Sequence, residues 1–185
     1  MKVSFAPGQE DNMHDHYPFT GYILDGGKAQ VTMPDGKVNE REFPSGFIAH
    51  NGNGVRHKVK NIDSNDINVI LIEHKKLGSI PNFDNNVKLS AHAVSPDIYE
   101  IVHEDELIKV YTATFPAGSG DNVHEHGMNT AYVITGGKVE ITGADGSVNE
   151  RNIPDGAVLH SDKMVRHQVK NIGKTDIKVL LAEYK

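Results

Sequence analysis

Short runs of apolar and β-branched residues recur along the whole chain and are separated by Gly, Pro, Asp and Asn. Runs of this length and spacing are typical of the strands of a β-sandwich or β-barrel. The tripeptides at 34–36 (PDG) and 144–146 (ADG) predict hairpin turns. In the segments 67–73 and 177–183 the alternation is blurred, which predicts strands that are buried on both faces or lie at a domain interface. The only helical candidate is the short segment VKLSAHAV, so the pattern predicts an all-β protein.

The chain repeats itself at a spacing of 110 residues. This shift aligns 3–75 with 113–185 without a gap, and 34 of the 73 aligned residues are identical. Such a match predicts a tandem duplication of one structural unit. We therefore expect one domain over 1–75, a linker over 76–95 and a second domain over 96–185.

The segment 98–115 lies between the two copies and predicts two short strands around a turn at 103–106. The first copy has no equivalent of these strands before it. Either the natural start of the chain is missing, or these two strands, which we call the connector strands, complete both halves. We prefer the second interpretation.

Composition narrows the function. The chain has no cysteine, which excludes disulfides, thiolate catalysis and cysteine-based metal sites. A net charge of −6 with interspersed signs argues against a nucleic-acid partner. No apolar stretch approaches the roughly 18 residues of a membrane helix, and the N-terminus lacks a signal sequence. We expect a cytoplasmic protein, or one whose export signal was removed before the numbering begins.

Histidine is the unusual residue, with 11 in the chain. Residues i and i+2 of a strand point to one face, so each His-x-His pair can converge on a single point. A third imidazole from a distant strand would complete a metal site with open coordination positions. The alternative is a pair of surface histidines; His74 has no repeated counterpart and is not expected to be a ligand. The predicted metal ligands are His14, His16 and His57 in the first copy and His124, His126 and His167 in the second.

Two motifs carry a family resemblance. The first is a Gly, then His-x-His, then a position that is normally Glu, then a Gly; the second is a Gly, Pro-x-Gly, His and Asn. The first copy has Gly8, His14, His16, Thr20 and Gly27, followed by Gly46, Gly52, Gly54, His57 and Asn61. The second copy has Gly118, His124, His126, Thr130 and Gly137, followed by Gly156, Asp162, Met164, His167 and Asn171.

This pattern resembles the cupin superfamily, in a two-domain (bicupin) form. The resemblance implies two tandem jelly-roll β-barrels (double-stranded β-helices), each binding a metal through its histidines. Thr20 and Thr130 replace the motif glutamate, and a neutral hydroxyl is a poor metal ligand; alternatively, each threonine is simply a β-branched strand residue. A three-histidine site without a carboxylate favours Fe, Zn, Ni or Cu over Mg or Mn.

Other repeated residues are candidates for substrate chemistry. His50 and His160 would be general acid/base groups or fourth ligands if their strand faces inward, and ordinary strand histidines otherwise. Tyr22 and Tyr132 share a strand face with the threonines and would line the pocket or the core. Arg56 and Arg166 would bind a substrate carboxylate or pair with acidic neighbours. The predicted pocket residues are Thr20, Tyr22, Arg56, Thr130, Tyr132 and Arg166.

The resemblance implies a metal-dependent enzyme that acts on a small organic substrate, with a dioxygenase-like reaction as the first hypothesis. The alternatives are a metal- or ligand-binding protein without turnover, and a Zn- or Ni-dependent isomerase or lyase. We expect a small-molecule ligand, and an internal pseudo-dimer that could also form a homodimer. We expect neither a nucleic acid nor a membrane as a partner.

Overall fold

A computed structural model describes residues 1–73 and 87–185 of the chain. The chain divides into two compact units, Met1–Ile80 (unit 1) and Pro81–Lys185 (unit 2). Both consist almost entirely of antiparallel strands, as their alternating sequence predicts. In the described part of the chain no helix has the length and apolar character that crossing a bilayer requires.

Unit 1 consists of two four-stranded sheets. Their strand orders are β1-β8-β3-β6 and β2-β7-β4-β5, so strands distant in sequence pair within each sheet. The strands are β1 (Lys2–Phe5), β2 (His14–His16), β3 (Phe19–Asp25), β4 (Gly27–Thr32), β5 (Val38–Phe43), β6 (Ile48–Asn51), β7 (Val55–Asn61) and β8 (Ile67–Glu73).

Unit 2 repeats this topology with one additional strand. Its sheets have the orders β15-β12-β17-β10-β9 and β11-β16-β13-β14. The elements are α1 (Ala91–Val94), β9 (Tyr99–Glu104), β10 (Ile108–Phe115), β11 (His124–His126), β12 (Asn129–Thr135), β13 (Gly137–Gly143), β14 (Val148–Ile153), β15 (Val158–Ser161), β16 (Val165–Asn171) and β17 (Ile177–Tyr184). Two tandem jelly-roll barrels are thus confirmed.

Apolar side chains on the inner strand faces form the cores. In unit 1 the buried cluster is small and contains Phe5, Ala29 and Ile67. In unit 2 the cluster is larger, because β9 and the start of β10 add Tyr99 and Tyr111 to it. The two copies therefore fill their barrels to different extents.

A buried asparagine fixes the chain after the third-histidine strand of each unit. The Asn61 side chain donates hydrogen bonds to the carbonyl oxygens of Phe5 (2.9 Å) and Asn65 (2.8 Å) and accepts one from the Asp63 backbone N–H (2.8 Å). Asn171 makes the equivalent bonds in unit 2. A buried amide whose groups are all paired stabilises the turn that follows the strand.

The connector strands belong to unit 2. β9 and β10 form the predicted hairpin, but β10 pairs with β17, so our preferred interpretation that these strands complete both halves is wrong. The reason is that β10 continues the segment equivalent to β1, and β9 then pairs alongside it.

The end of the predicted linker is ordered against unit 2. The backbone N–H groups of Lys88 and Leu89 donate to the Glu125 carboxylate at 2.9 and 3.3 Å, and Glu125 N–H donates to the Leu89 carbonyl at 2.8 Å. The helical candidate forms only one turn, α1, which contacts β9 and β11. The domain limits and the linker stay predictions, since residues 74–86 lie outside the described part.

Candidate metal centres

Three imidazoles of unit 1 meet at one point (site 1). β2 pairs with β7 so that His14 lies directly opposite His57, and His16 is on the same face of β2 because it is two residues further on. The Nε2 atoms of His14 and His16 are 2.7 Å apart. One ring nitrogen from each of the three histidines lies within 4.8 Å of the others.

Unit 2 has an equivalent cluster (site 2). His124 lies opposite His167 in the β11–β16 register. The Nε2 atom of His124 is 2.9 Å from that of His126 and 3.0 Å from that of His167. The predicted ligand residues are thus brought together in both copies.

The spacing of the nitrogens fits a small ion between them. A bond of about 2.0–2.1 Å from metal to imidazole nitrogen places two nitrogens about 2.9 Å apart at a right angle, and about 3.3 Å apart at the tetrahedral angle. The observed values of 2.7–3.0 Å match the right angle. Three imidazole ligands would leave coordination positions free for other ligands.

The outer nitrogens of the paired histidines are fixed by hydrogen bonds. His14 Nδ1 donates to the Asn12 carbonyl at 2.8 Å, and His16 Nδ1 donates to the Glu73 carboxylate at 2.8 Å. The Asn122 carbonyl (2.9 Å) and Glu183 (2.8 Å) do the same for His124 and His126 in unit 2. With the proton held at Nδ1, each Nε2 lone pair points into the cluster, as in many metal sites.

Sequence reasoning missed Glu73 and Glu183. Glu73 is the last residue of β8 and Glu183 is the last but one of β17, and the two are equivalent at the 110-residue spacing. Their recurrence was a usable signal, but they lie in strands whose blurred alternation indicated only burial. A carboxylate that holds a ligating imidazole is part of the site, although it does not contact the ion.

Burial keeps the third histidines neutral. Burial, and then the neighbouring imidazoles, lower the pKa of His57 to about 4 and that of His167 to about 3. The same two causes lower the pKa of His124 to about 4. Neutral imidazole is the form that ligates a metal, so these groups are available as ligands at neutral pH.

Site 1 opens into a large apolar cavity. The cavity has a volume of about 1160 Å³ and contains all three histidines in its wall. The Phe19 ring lies 5.3 Å from the His16 ring. The apolar side chains of the wall include Phe5, Ile23, Val31, Phe43, Val59 and Leu71.

Site 2 is covered by Tyr99 of β9. The Tyr99 ring lies 5.3 Å from the His124 ring, and its hydroxyl is 3.3 Å from His124 Nε2. The hydroxyl donates a hydrogen bond to Asp121 at 2.8 Å, and burial raises the pKa of Asp121 to about 6. Burial also raises the pKa of Tyr99 well above its ordinary value. Tyr99 lies upstream of the repeated segment, so no repeat signal indicated it.

His50 and His160 are not members of the three-imidazole clusters, and each is hydrogen-bonded to a strand threonine. Thr20 lies opposite His50 in the β3–β6 register, and Thr20 Oγ1 and His50 Nδ1 are hydrogen-bonded at 3.1 Å. The alternate positions of β3, from Phe19 to Ile23, line the cavity, so Thr20 is on the other face of that strand, whereas His50 of β6 is itself among the residues of the cavity wall. Thr130 and His160 form the same pair at 2.9 Å. A role of His50 and His160 as acid/base groups or fourth ligands stays a prediction.

The other predicted pocket residues also lie away from the clusters. Tyr22 and Tyr132 share the outer strand face with the threonines, two residues on. Arg56 lies between His57 and Val55 on β7 and therefore on the opposite face, where its guanidinium contacts Asp15. Arg166 contacts Glu125 at 3.2 Å in the same way. The position of these four residues favours the alternatives that we considered, which are packing and ion pairing.

Solved structures match the chain, whereas no family profile and no curated protein does. AerE from Microcystis aeruginosa aligns with 100% of this chain and 86% of its own, at 16% identity and a TM-score of 0.69. A variant of Bacillus subtilis oxalate decarboxylase aligns with 98% of this chain and 67% of its own, at 16% identity and a TM-score of 0.65. Lactobacillus farciminis oxalate decarboxylase, in a formate complex, aligns with 100% and 75%, at 13% identity and a TM-score of 0.64.

Similarity at these identities establishes the fold, while function depends on the site. The decarboxylases match over both halves of this chain. The two sheets of each unit and the placement of the histidines on paired strands agree with the sequence motifs. The chain therefore has the fold of a two-domain cupin.

Proposed function

We propose that this chain is a metal-dependent enzyme that binds one divalent transition-metal ion at each histidine cluster and transforms a small organic substrate at site 1. The supporting observation is the convergence of three imidazoles at the wall of an accessible apolar cavity. Accessible clefts with apolar walls and few convergent polar groups are typical of small-molecule sites. The proposed metal ligands are His14, His16, His57, His124, His126 and His167.

The donor set supports a divalent ion of intermediate softness. Imidazole nitrogens suit Fe, Zn, Ni and Cu, and we propose one of these. Mn(II) is a further candidate, because Bacillus subtilis oxalate decarboxylase, which shares the fold, contains Mn(II) centres. When bound, such an ion supplies Lewis acidity toward substrate oxygens.

The residues of unit 1 position ligands and exclude water. Glu73 holds His16 in the Nδ1–H tautomer, and the Asn12 carbonyl does the same for His14. Phe19 and the apolar wall remove water from one side of the cluster, which strengthens electrostatic interactions there. We propose a dioxygenase-like reaction, with molecular oxygen as the second substrate.

The two histidine clusters also suit two alternative functions. Binding without turnover is favoured at site 2, where Tyr99 occupies the space beside the imidazoles. A Zn- or Ni-dependent isomerase or lyase would use the site 1 cavity without oxygen. A cytoplasmic location, the internal pseudo-dimer and a possible homodimer stay predictions.

Elemental analysis of protein purified without an affinity tag tests the proposal. We expect close to two equivalents of a transition metal per chain, either as purified or after reconstitution. Protein that binds no metal after reconstitution would contradict the enzyme as proposed. An oxygen electrode then separates the reactions, since substrate-dependent oxygen uptake supports the dioxygenase, and turnover without uptake supports the isomerase or lyase.

A further inference from the structure

The volume and the apolar wall of the unit 1 cavity limit the size and polarity of the ligand that it can bind. We propose that site 1 takes an elongated, mostly apolar molecule with an oxygen headgroup, such as a carboxylate or enolate, and not a compact dianion. This inference rests on the proposed function, because the headgroup is placed at the histidine cluster. The apolar body would lie along the inner face of the sheet that carries the cluster.

The strand register defines the direction of the apolar body. His57, Val59 and Asn61 alternate on the inner face of β7, and Val59 lies opposite Val31 of β4. The next row consists of Asn61 and Ala29, which are both buried. Two residues of a strand advance about 6.7 Å, so the inner face extends about 13 Å from the His57 row to the Asn61 row. The cavity wall continues over this whole distance.

The wall is mostly apolar, although it also contains Arg41 and the acidic residues Asp11 and Glu40, whose charges oppose that of the arginine. A dianion would lose its hydration in a mostly apolar cavity, and each unpaired charge would cost several kcal/mol. A volume of about 1160 Å³ is slightly above the range of about 300–1,000 Å³ that is usual for drug-sized ligands. A two-carbon molecule would leave most of this space to water against apolar side chains.

Unit 2 shows what a filled version of the same barrel looks like. Its equivalent of Val31 is Ile141, and Tyr99 and Tyr111 pack against each other at 6.2 Å, with Tyr99 directly beside the cluster. Tyr111 is equivalent to Met1, which is at the wall of the unit 1 cavity. The two copies thus retain the same donor set, while in unit 2 Tyr99 lies where the unit 1 cluster faces its cavity.

Straight-chain carboxylates are suitable probes. The protein is loaded with Co(II), whose visible spectrum reports on its coordination, and is titrated with acetate, hexanoate and decanoate by calorimetry. Burial of a methylene group contributes about 0.8 kcal/mol, so we expect the affinity to rise up to about fourfold per methylene. We also expect Val31→Phe to weaken decanoate binding at least tenfold with no change in bound Co(II), and Val31→Ile, the residue of unit 2, to have a small effect.

Single-site variants form the matched pair. His167→Ala retains site 1 and should keep decanoate binding and the accompanying change of the Co(II) spectrum. His57→Ala retains site 2 and should lose both. Equal affinity for acetate and decanoate, or no effect of Val31→Phe in a folded variant, would overturn the inference while leaving the two-metal proposal intact. Chain-length-dependent binding to a protein that takes up no metal would instead contradict the proposed function and support the apolar cavity.

Discussion

Site 1 and site 2 share their donor atoms and differ in what covers them. Each has a His-x-His pair, a third histidine, an asparagine carbonyl and a glutamate at equivalent positions. The His14 side chain is nevertheless 35% exposed, whereas that of His124 is 0% exposed. The duplication thus preserved the three histidines and the groups that hydrogen-bond to them. The segment outside the repeat determines how far the histidines are exposed.

The cover of site 2 is built from the segment that precedes the second copy of the repeat. The backbone N–H groups of Lys88 and Leu89 donate to Glu125 of β11, and His92 of α1 donates through Nδ1 to the Tyr99 carbonyl at 2.7 Å. These contacts hold the Tyr99 ring against the imidazoles. The comparison indicates that site 1 is suited to ligand exchange and site 2 to permanent metal binding.

Removal of one imidazole from each pair should have the largest effect. We expect His16→Ala combined with His126→Ala to abolish metal uptake, and each single variant to lose one equivalent, because two remaining imidazoles bind a metal weakly. Metal analysis after dialysis measures this. His160→Ala is the control, since this histidine is hydrogen-bonded to Thr130 and is not one of the three clustered imidazoles; His74 lies outside the described residues. Full uptake by the double variant would show that the ligand assignment is wrong.

Truncation of the cover should make site 2 behave like site 1. For Tyr99→Ala we expect a loss of about 3–5 kcal/mol in the free energy of unfolding, the range for removing a buried aromatic ring. We also expect a chelator to remove metal in two phases from the native protein, and in one fast phase from this variant. Phe19→Ala in unit 1 is the matched control and should leave the slow phase unchanged. If metal still leaves Tyr99→Ala in two phases, Tyr99 is not the reason why site 2 releases its metal slowly.

Neutralising the carboxylate that holds the second histidine should weaken metal binding without abolishing it. Loss of such a partner typically lowers metal affinity about 10–100-fold. We expect the loss of metal affinity to be near the upper end of this range for Glu183→Gln, since Glu183 also accepts a hydrogen bond from Tyr111 at 2.9 Å. For Glu73→Gln we expect a smaller loss. Competition with a chromophoric chelator gives both affinities. Glu150→Gln removes a carboxylate that pairs with Lys138 on the surface and should change neither; equal affinities in all variants would contradict the role of the carboxylates.

Acidification should destabilise the metal-free protein moderately. The pKa values of His57, His124 and His167 are lowered to about 4, 4 and 3, below the ordinary value of 6.5. Between pH 6.5 and about 4 the unfolded chain therefore binds protons that the folded chain does not, and the stability falls as the pH falls. Asp121 acts in the opposite direction, because its raised pKa of about 6 keeps a proton on the folded form.

The three histidines outweigh Asp121, and the lowered pKa values of Asp105 and Glu183 add to the loss of stability at the acidic end of the range. Urea unfolding of metal-free protein at several pH values from 7 to 4.5 measures the net effect. We expect the midpoint to fall steadily over this range. A midpoint that rises or stays constant would show that the clusters are not buried as described.

Much of the fold and the central part of the site could be predicted from the sequence. The repeat defined the two units, and the two-residue spacing of His14 and His16 placed both on one face before any partner strand was known. The orientation of Thr20 relative to that face could not be predicted, because β3 lies in the other sheet and its phase depends on packing against β8. Tyr99 was invisible for a different reason: it has no repeated counterpart, and its role arises from the pairing of β9 with β10.

Anomalous diffraction from crystals of the Co(II)-loaded protein tests the central claim most directly. Two peaks per chain are predicted, one bounded by His14, His16 and His57 and one by His124, His126 and His167. The second peak should persist in crystals washed with a chelator, while the first is lost. An absence of density at both clusters, or peaks only at other residues, would contradict the account.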